Sequence, residues 1–202
     1  MSGLPLSVRL PQATRELHRK AERAGVMRTL LEGRLERARY VRLLASLHTI
    51  YEALEGALDA DRVRAVAPMP ALRRTEALAR DLADYGTDPH RAPPEAVAVD
   101  YAARVAHLAR EQPALVAAHA YVRYLGDLSG GQILKDIVAR AVAPAPGRGT
   151  AFYAFGGAAE LDRARTSIRE ALDAMPSAHH DAVVAEARDA FARHIQLFEA
   201  LA

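Results

Sequence analysis

The sequence contains no cysteine. Without a thiol, the protein cannot form disulfides, zinc–thiolate sites or iron–sulfur clusters. A metal bound by this chain would therefore need histidine, carboxylate, tyrosine or methionine as its protein ligand. Disulfide-stapled modules and cysteine-held electron carriers are excluded on composition alone.

Long hydrophobic runs are also missing. No stretch reaches the roughly 18 apolar residues of a transmembrane helix. The first residues lack the charged start and apolar core of a secretory signal. The sequence ends at Leu201 and Ala202 without a hydrophobic tail. We therefore expect a cytoplasmic protein without a membrane anchor.

Lysine and net charge are both scarce. The formal net charge is +2, and Lys20 and Lys135 are the only lysines among 27 basic residues. Arginine and acidic residues are interspersed along the chain, which is typical of solvated helix faces. There is no lysine cluster with interleaved aromatic residues, so we do not expect a nucleic acid as partner.

Half of the 202 residues are apolar, which suits one domain, over residues 1–202, with a buried core. Helical periodicity dominates and no strand pattern of useful length occurs. We predict an all-α domain of seven or eight helices. The expected helices are 11–25, 36–58, 71–85, 93–112, 114–142, 159–174 and 178–201, with a Pro- and Gly-rich loop over 144–157.

One predicted helix contains three glycines within six residues, at Gly126, Gly130 and Gly131. Each glycine in a helix costs about 1 kcal/mol relative to alanine. One interpretation is a helix break or close packing between helices. The other is a kink that lets bare backbone approach a flat ligand. Composition leaves both open.

Arg15, His18 and Glu22 share one face of the first predicted helix. A ligating imidazole commonly donates its second N–H to a carboxylate, which Glu22 would provide. Arg15 would neutralise an anionic group beside the metal. The plainer interpretation is an exposed polar stripe. No pair of Glu-x-x-His motifs is present, which argues against a di-iron bundle.

The stretch HAYVRYLGDLSGGQ, residues 119–132, resembles the signature of heme oxygenases. Shorter segments at 13–18, 45–51 and 191–198 are similar to that family in the same order. The resemblance covers nearly the whole chain and is weakest over 86–105 and 144–162. It points to the soluble bacterial type that produces biliverdin. It implies an all-α fold with heme between the first helix and a glycine-kinked distal helix.

The resemblance also implies roles for individual residues. His18 matches the proximal ligand of the heme iron, and Glu22 is placed to hold its Nδ1–H. Gly126 and Gly130 match glycines whose backbone lies against the distal heme face, and Gly131 extends that segment.

Further matches concern water and the heme propionates. Asp127 matches the carboxylate that orders distal water, and Tyr51 and Arg123 match members of its hydrogen-bonded network. The groups implied as propionate anchors are Arg15, Tyr121, Arg165 and Arg169. Arg165 and Arg169 are one helical turn apart, as two carboxylates would require.

The activity implied is oxidative opening of heme b at a meso carbon, with α favoured, to biliverdin, carbon monoxide and ferrous iron. Heme is then both cofactor and substrate. O2 and electrons from an external donor, a ferredoxin or a flavoprotein reductase, are required. We expect a monomer.

Two departures and three alternatives accompany the resemblance. Pro11 stands where some relatives carry a propionate-facing lysine, and His194 where some carry asparagine, which would make the water network sensitive to pH. The main alternative is a non-catalytic heme carrier or sensor that binds through His18. The others are a related helical enzyme of different chemistry, such as a thiamin-degrading one, and a purely structural bundle.

Overall fold

The computed structural model describes residues 4–59 and 72–202. These residues form nine α-helices and no strand, which confirms the predicted all-α class. The helices are α1 (Leu6–Arg23), α2 (Gly25–Leu31), α3 (Arg37–Leu58), α4 (Thr75–Asp84), α5 (Ala96–Glu111), α6 (Val116–Ala120), α7 (Gly126–Ala141), α8 (Ala158–Asp173) and α9 (His180–Ala200). Residue 71, the predicted start of the third helix, lies outside the described residues.

One hydrophobic cluster runs through the described part of the chain. Helix α3 lies at its centre and packs against α4 and α5, while α1 packs against α8 and α9. The fully buried aromatic side chains include Tyr40, Tyr51, Tyr101 and Tyr124. None of the described helices is both long and apolar enough to cross a membrane.

The first helix of the structure differs at both ends from the helix predicted over residues 11–25. Helix α1 begins at Leu6, so Pro11 lies inside it rather than in its first turn. Gly25 does not end a helix but begins α2, a helix that was not predicted from the sequence. The φ of Gly25 is +33°, and a Cβ there would lie 1.8 Å from the carbonyl oxygen of Phe198. Gly25 therefore allows the junction of α1 and α2 to press directly against α9.

The long helix predicted over 114–142 is interrupted. A 3-10 turn at Pro113–Leu115 precedes α6, and a π-helical segment, Tyr121–Leu125, separates α6 from α7. The departure from α geometry thus ends at Gly126, and α7 continues regularly through the three glycines. Single π turns are frequent at functional sites because they shift the side chains that follow.

The loop predicted over 144–157 contains a short 3-10 turn, Ala151–Tyr153. Buried Asp81 fixes it by accepting the backbone N–H of Ala151 at 2.7 Å and of Phe152 at 2.8 Å. The guanidinium of Arg74 donates to the carbonyls of Phe152 and Ala154, at 3.2 and 3.1 Å. These bonds hold the loop, and with it the ring of Phe155, against α7.

Candidate heme site

A cleft opens between α1, α2, α7 and α9. One half, a cavity of about 340 Å³, is mainly apolar and is lined by His18, Ala21, Glu22, Met27, Leu31, Val122, Arg123, Gly126, Asp127, Ser129, Gly130, Ile133, Leu134, Phe191, His194 and Phe198. The adjoining half, of about 420 Å³, is lined by Ser7, Pro11, Thr14, Arg15, His18, Arg19, Tyr121, Val122, Leu125, Gly126, Ser129, Arg169 and Phe191. His18 and Gly126 belong to both halves, so the two form one elongated cleft.

His18 projects from α1 into this cleft, and its side chain is half-exposed. Its Nδ1 lies 3.6 Å from Oε1 of Glu22, an ion-pair distance that is slightly long for a hydrogen bond. The ring also packs edge-on against Phe191, with centroids 5.8 Å apart. Glu22 and Phe191 restrict the ring from one side and leave Nε2 free to bind a metal.

A metal at His18 would need most of its ligands from elsewhere. Within residues 4–59 and 72–202, no three His, Asp or Glu side chains come together as a metal site. A single accessible imidazole suits a metal that arrives with its own equatorial ligands, as heme iron does.

The three glycines of α7 have different surroundings. A Cβ at Gly126 or Gly130 would meet no heavy atom within 4 Å, and both residues line the cleft. A Cβ at Gly131 would lie 3.4 Å from the ring of Phe155. The structure therefore brings Gly126 and Gly130 to the cleft and places Gly131 against the Ala151–Tyr153 loop region instead.

Asp127 is held by side chains from two elements. Nη2 of Arg123 donates to Oδ1 at 2.9 Å and to Oδ2 at 3.2 Å, and the hydroxyl of Tyr51 donates to Oδ2. The Asp127 and Arg123 side chains are 11% and 10% exposed. Both line the cleft, whereas Tyr51 is fully buried behind them on α3.

Electrostatics around this group follow from burial and pairing. Burial raises the pKa of the Asp127 carboxyl, while Arg123 and the Tyr51 hydrogen bond oppose that shift. Burial also raises the pKa of Tyr51 well above its usual value, so its hydroxyl stays protonated. Burial lowers the pKa of Arg123, but the charge of Asp127 and the interactions with Tyr51 and Tyr101 together outweigh burial, so the net shift is upward. The result is a charged pair with a neutral phenol donor behind it.

Three of the four predicted propionate anchors line one half of the cleft, namely Arg15, Tyr121 and Arg169. The hydroxyl of Tyr121 lies 3.3 Å from Oγ1 of Thr14, and burial raises its pKa. Arg165 is occupied elsewhere. Its guanidinium donates to the backbone carbonyl of Leu128 and, at 2.9 Å, to Asp162.

The half of the cleft that contains Arg15 and Arg169 has further lining residues that were not predicted from the sequence. Arg19 lies one helical turn after Arg15, so the i, i+4 spacing along α1 was a signal for it. Ser7 and Thr14 carried no such signal, because small hydroxyl side chains are common on any helix.

The protonation of His194 differs from the expectation that this residue would make the water network sensitive to pH. Its Nδ1 lies 2.8 Å from the carbonyl of Ala190, an acceptor, so Nδ1 carries the proton. Burial, reinforced by the charge of Arg123, lowers the pKa of His194 well below its usual value. The ring therefore stays neutral near neutral pH, and the expected pH sensitivity of the cleft near pH 7 is not supported.

Known proteins match this chain over nearly its whole length. A family model described as "Heme oxygenase" matches residues 4–200. "Heme oxygenase 1" of Homo sapiens is 39% identical over 205 residues, which cover 97% of this chain and 71% of the human protein. "Heme oxygenase 1" of Synechocystis sp. is 34% identical over 203 residues, 97% of this chain and 84% of the relative.

Solved structures agree with the described helices. Heme oxygenase from Leptospira interrogans has a TM-score of 0.88 at 34% identity and covers 98% of this chain and 100% of its own. Heme oxygenase-2 from Synechocystis sp., in complex with heme and NO, has a TM-score of 0.90 at 34% identity, with 98% and 85% covered. Fold, cleft and sequence lead to one conclusion: this chain belongs to the heme oxygenase family.

Proposed function

We propose that the cleft would hold one heme, with Nε2 of His18 as the protein ligand of the iron and the bare backbone of Gly126 and Gly130 beside the ring. The observation that carries this proposal is that an accessible imidazole on α1 and two glycines on α7 with open space at Cβ line the same cleft. Any larger side chain at those two glycines would occupy the space of a flat ligand.

The two halves of the cleft suit the two edges of heme. Met27, Leu31 and Ile133 line the apolar half and match the vinyl and methyl edge. Arg15, Arg169 and the Tyr121 hydroxyl line the other half and match the propionates, since guanidinium binds carboxylate strongly. We propose that Arg165 supports this rim through the Leu128 carbonyl and does not bind a propionate itself.

Heme in this cleft supplies the iron that activates O2 and the meso carbon that is oxidised. The chain supplies position and protons. Neutral His18 holds the iron, and Glu22 keeps its Nδ1 side occupied. The backbone at Gly126 and Gly130 restricts the space open to O2. Asp127, fixed by Arg123 and Tyr51, holds water near the ring and passes protons through it.

Orientation of the ring decides which meso carbon faces the glycines. The propionates are the only strongly charged groups on a nearly symmetric disc, so Arg15 and Arg169 set its rotation. We propose cleavage at the α position, giving α-biliverdin, carbon monoxide and ferrous iron.

The electrons are proposed to come from a separate ferredoxin or flavoprotein reductase. Exposed basic residues on α1, Arg15, Arg19, Lys20 and Arg23, lie along the rim of the cleft or beside it. Such a surface attracts an acidic donor and accelerates its association at low ionic strength. We further propose that the protein acts as a monomer in the cytoplasm.

His18→Ala tests the ligand assignment, with His107→Ala, at an exposed position of α5, as the matched control. We expect the His18 variant to lose the Soret band of the wild-type ferric complex and to stop forming biliverdin, and added imidazole to restore the band. The control should behave as wild type. A His18 variant with the wild-type spectrum and full turnover would place the ligand elsewhere.

A further inference from the structure

A second groove adjoins the apolar half of the cleft. It has a volume of about 340 Å³ and is lined by Leu31, Glu32, Gly33, Ile137, Arg140 and Ala141. Leu31, the last residue of α2, lines both this groove and the apolar half of the cleft. The two spaces therefore meet at one apolar side chain, and a ligand in the cleft can extend past it.

Helix α7 carries one row of apolar side chains along both spaces. Ile133 lines the cleft, whereas Ile137 and Ala141, one and two helical turns later, line the groove. The row from Ile133 to Ala141 is about 12 Å long, because an α-helix rises about 1.5 Å per residue. The facing wall is formed by Leu31 and by Gly33, where a Cβ would meet no heavy atom within 4 Å. The result is a slot with a continuous apolar side.

The apolar side chains at the junction of the two spaces are exposed. Ile133 is 64% exposed and Leu31 is 40% exposed, and both line the cleft. Exposed apolar side chains that lie together at a cavity mark a binding surface, whereas isolated ones do not. The vinyl groups at the edge of heme b are short and reach only the apolar half of the cleft. Ile137 and Ala141 therefore suit a longer ligand.

The charged residues of the groove indicate which chemical group it selects. Glu32 and Arg140 carry opposite charges, and both side chains are exposed. Glu32 is also paired with Arg34. An exposed pair of opposite charges favours neither an anion nor a cation. The apolar row of α7 instead favours a hydrocarbon chain, which gains free energy when its surface is removed from water.

We propose that this groove binds an isoprenoid tail attached to the vinyl edge of a heme, so that the cleft accepts hemes of the heme o class as well as heme b. The inference rests on the proposed function, because it uses the orientation in which the vinyl edge faces Leu31 and Ile133. The bond to His18 and the contacts of the propionates are the same for both hemes. The tail passes Leu31 and lies along Ile137 on the surface of α7.

The first test compares the dissociation constants of ferric heme b and ferric heme o, measured by absorption titration. Ile137→Asn removes apolar surface from the groove alone, because Ile137 does not line the cleft. We expect this variant to bind heme o at least about tenfold more weakly than wild type, which corresponds to about 1.4 kcal/mol. Burial of about two methylene groups accounts for such a change. Its affinity for heme b should not change. Val99→Asn, at a 49% exposed apolar position on α5, is the matched control and should bind both hemes as wild type does.

The second test needs no variant. In the wild-type complex with zinc-substituted heme o, we expect nuclear Overhauser effects between the methyl groups of the tail and the δ-methyl of Ile137. Their absence, or equal affinity for heme o in wild type and Ile137→Asn, would overturn the proposal. A wild-type protein that binds and opens heme b but does not bind heme o would overturn this inference and leave the proposed function intact. Failure to bind either heme would overturn both.

Discussion

At the scale of single residues, Asp127 illustrates how a carboxylate is kept ready for proton transfer. Arg123 neutralises its charge and Tyr51 donates to one of its oxygens, yet its side chain still lines the cleft. Backbone glycine can shape the space beside the heme but cannot deliver protons. The account therefore assigns that work to water held by Asp127.

Asp127→Ala tests this assignment. Heme binding to His18 should persist with little change in the resting spectrum, because Asp127 is not the iron ligand. Biliverdin yield per heme should fall at least about tenfold, because general acid–base catalysis typically contributes about 100-fold or more. Asp136→Ala, at an exposed position on the same helix, is the control. A normal yield from the Asp127 variant would mean that another group holds the water that delivers protons, and Arg123 and His194 would be the next candidates.

His194 predicts how stability depends on pH. Its folded pKa is lowered, chiefly by burial and also by the Arg123 charge and His119, from a reference value of 6.5. The unfolded chain therefore binds the extra proton first, so stability is full above 6.5 and falls as the pH drops below it. Between about pH 7.5 and 5.5 this residue should cost about 1 kcal/mol of unfolding free energy.

Urea unfolding of wild type and His194→Gln at those two pH values measures the effect. The glutamine variant should lose about 1 kcal/mol less than wild type on acidification. His107→Gln, at an exposed site, should lose as much as wild type. An identical loss in wild type and His194→Gln would mean that folding does not lower the pKa of His194.

At the scale of helices, the sequence predicted most elements but not their irregularities. Helices α3, α5, α8 and α9 were predicted within a few residues, because an apolar face repeating every turn is local information. Helix α2 has seven residues, too few for such a pattern. The sequence of the π-helical segment Tyr121–Leu125 is compatible with an ordinary α-helix, because no characteristic amino-acid composition distinguishes π-helix from α-helix.

Gly126→Leu separates the role of helix α7 in packing from its role at the heme. Leucine at an open helical position should leave the heme-free fold as stable or more so, by up to about 1 kcal/mol. In the cleft the same side chain should weaken heme binding at least tenfold. Gly56→Leu on α3, where a Cβ also meets nothing within 4 Å, is the matched control and should bind heme normally. Unchanged heme affinity in Gly126→Leu would show that heme does not approach this glycine.

Gly25→Ala tests the junction of α1 and α2 against α9. Its positive φ and the backbone of Phe198, 1.8 Å from a Cβ, both oppose a side chain. We expect a loss of about 2–5 kcal/mol in unfolding free energy, from overpacking and left-handed strain together. Gly33→Ala, with φ +68° but open space, should lose only about 1–2 kcal/mol. Equal losses in the two variants would mean that α9 moves aside at no cost.

At the scale of the whole molecule, the cleft is assembled from segments far apart in sequence. The 119–132 motif contains Arg123, Gly126 and Asp127, and it predicted that wall of the cleft directly. The contact of Arg165 with the Leu128 carbonyl and the position of Gly131 against Phe155 depend on how α7, α8 and the loop before α8 pack. No local pattern encodes such contacts, so the sequence could not place these two residues relative to the cleft.

The central claim is that this cleft both binds heme and opens it. It is tested most directly by adding ferric heme to the wild-type protein and supplying electrons from a reductase in air. The account predicts loss of the Soret band with formation of α-biliverdin and one carbon monoxide per heme. Bound heme that stays intact under these conditions would indicate a carrier or sensor and contradict the claim. Mainly β- or δ-biliverdin would contradict the orientation assigned to Arg15 and Arg169.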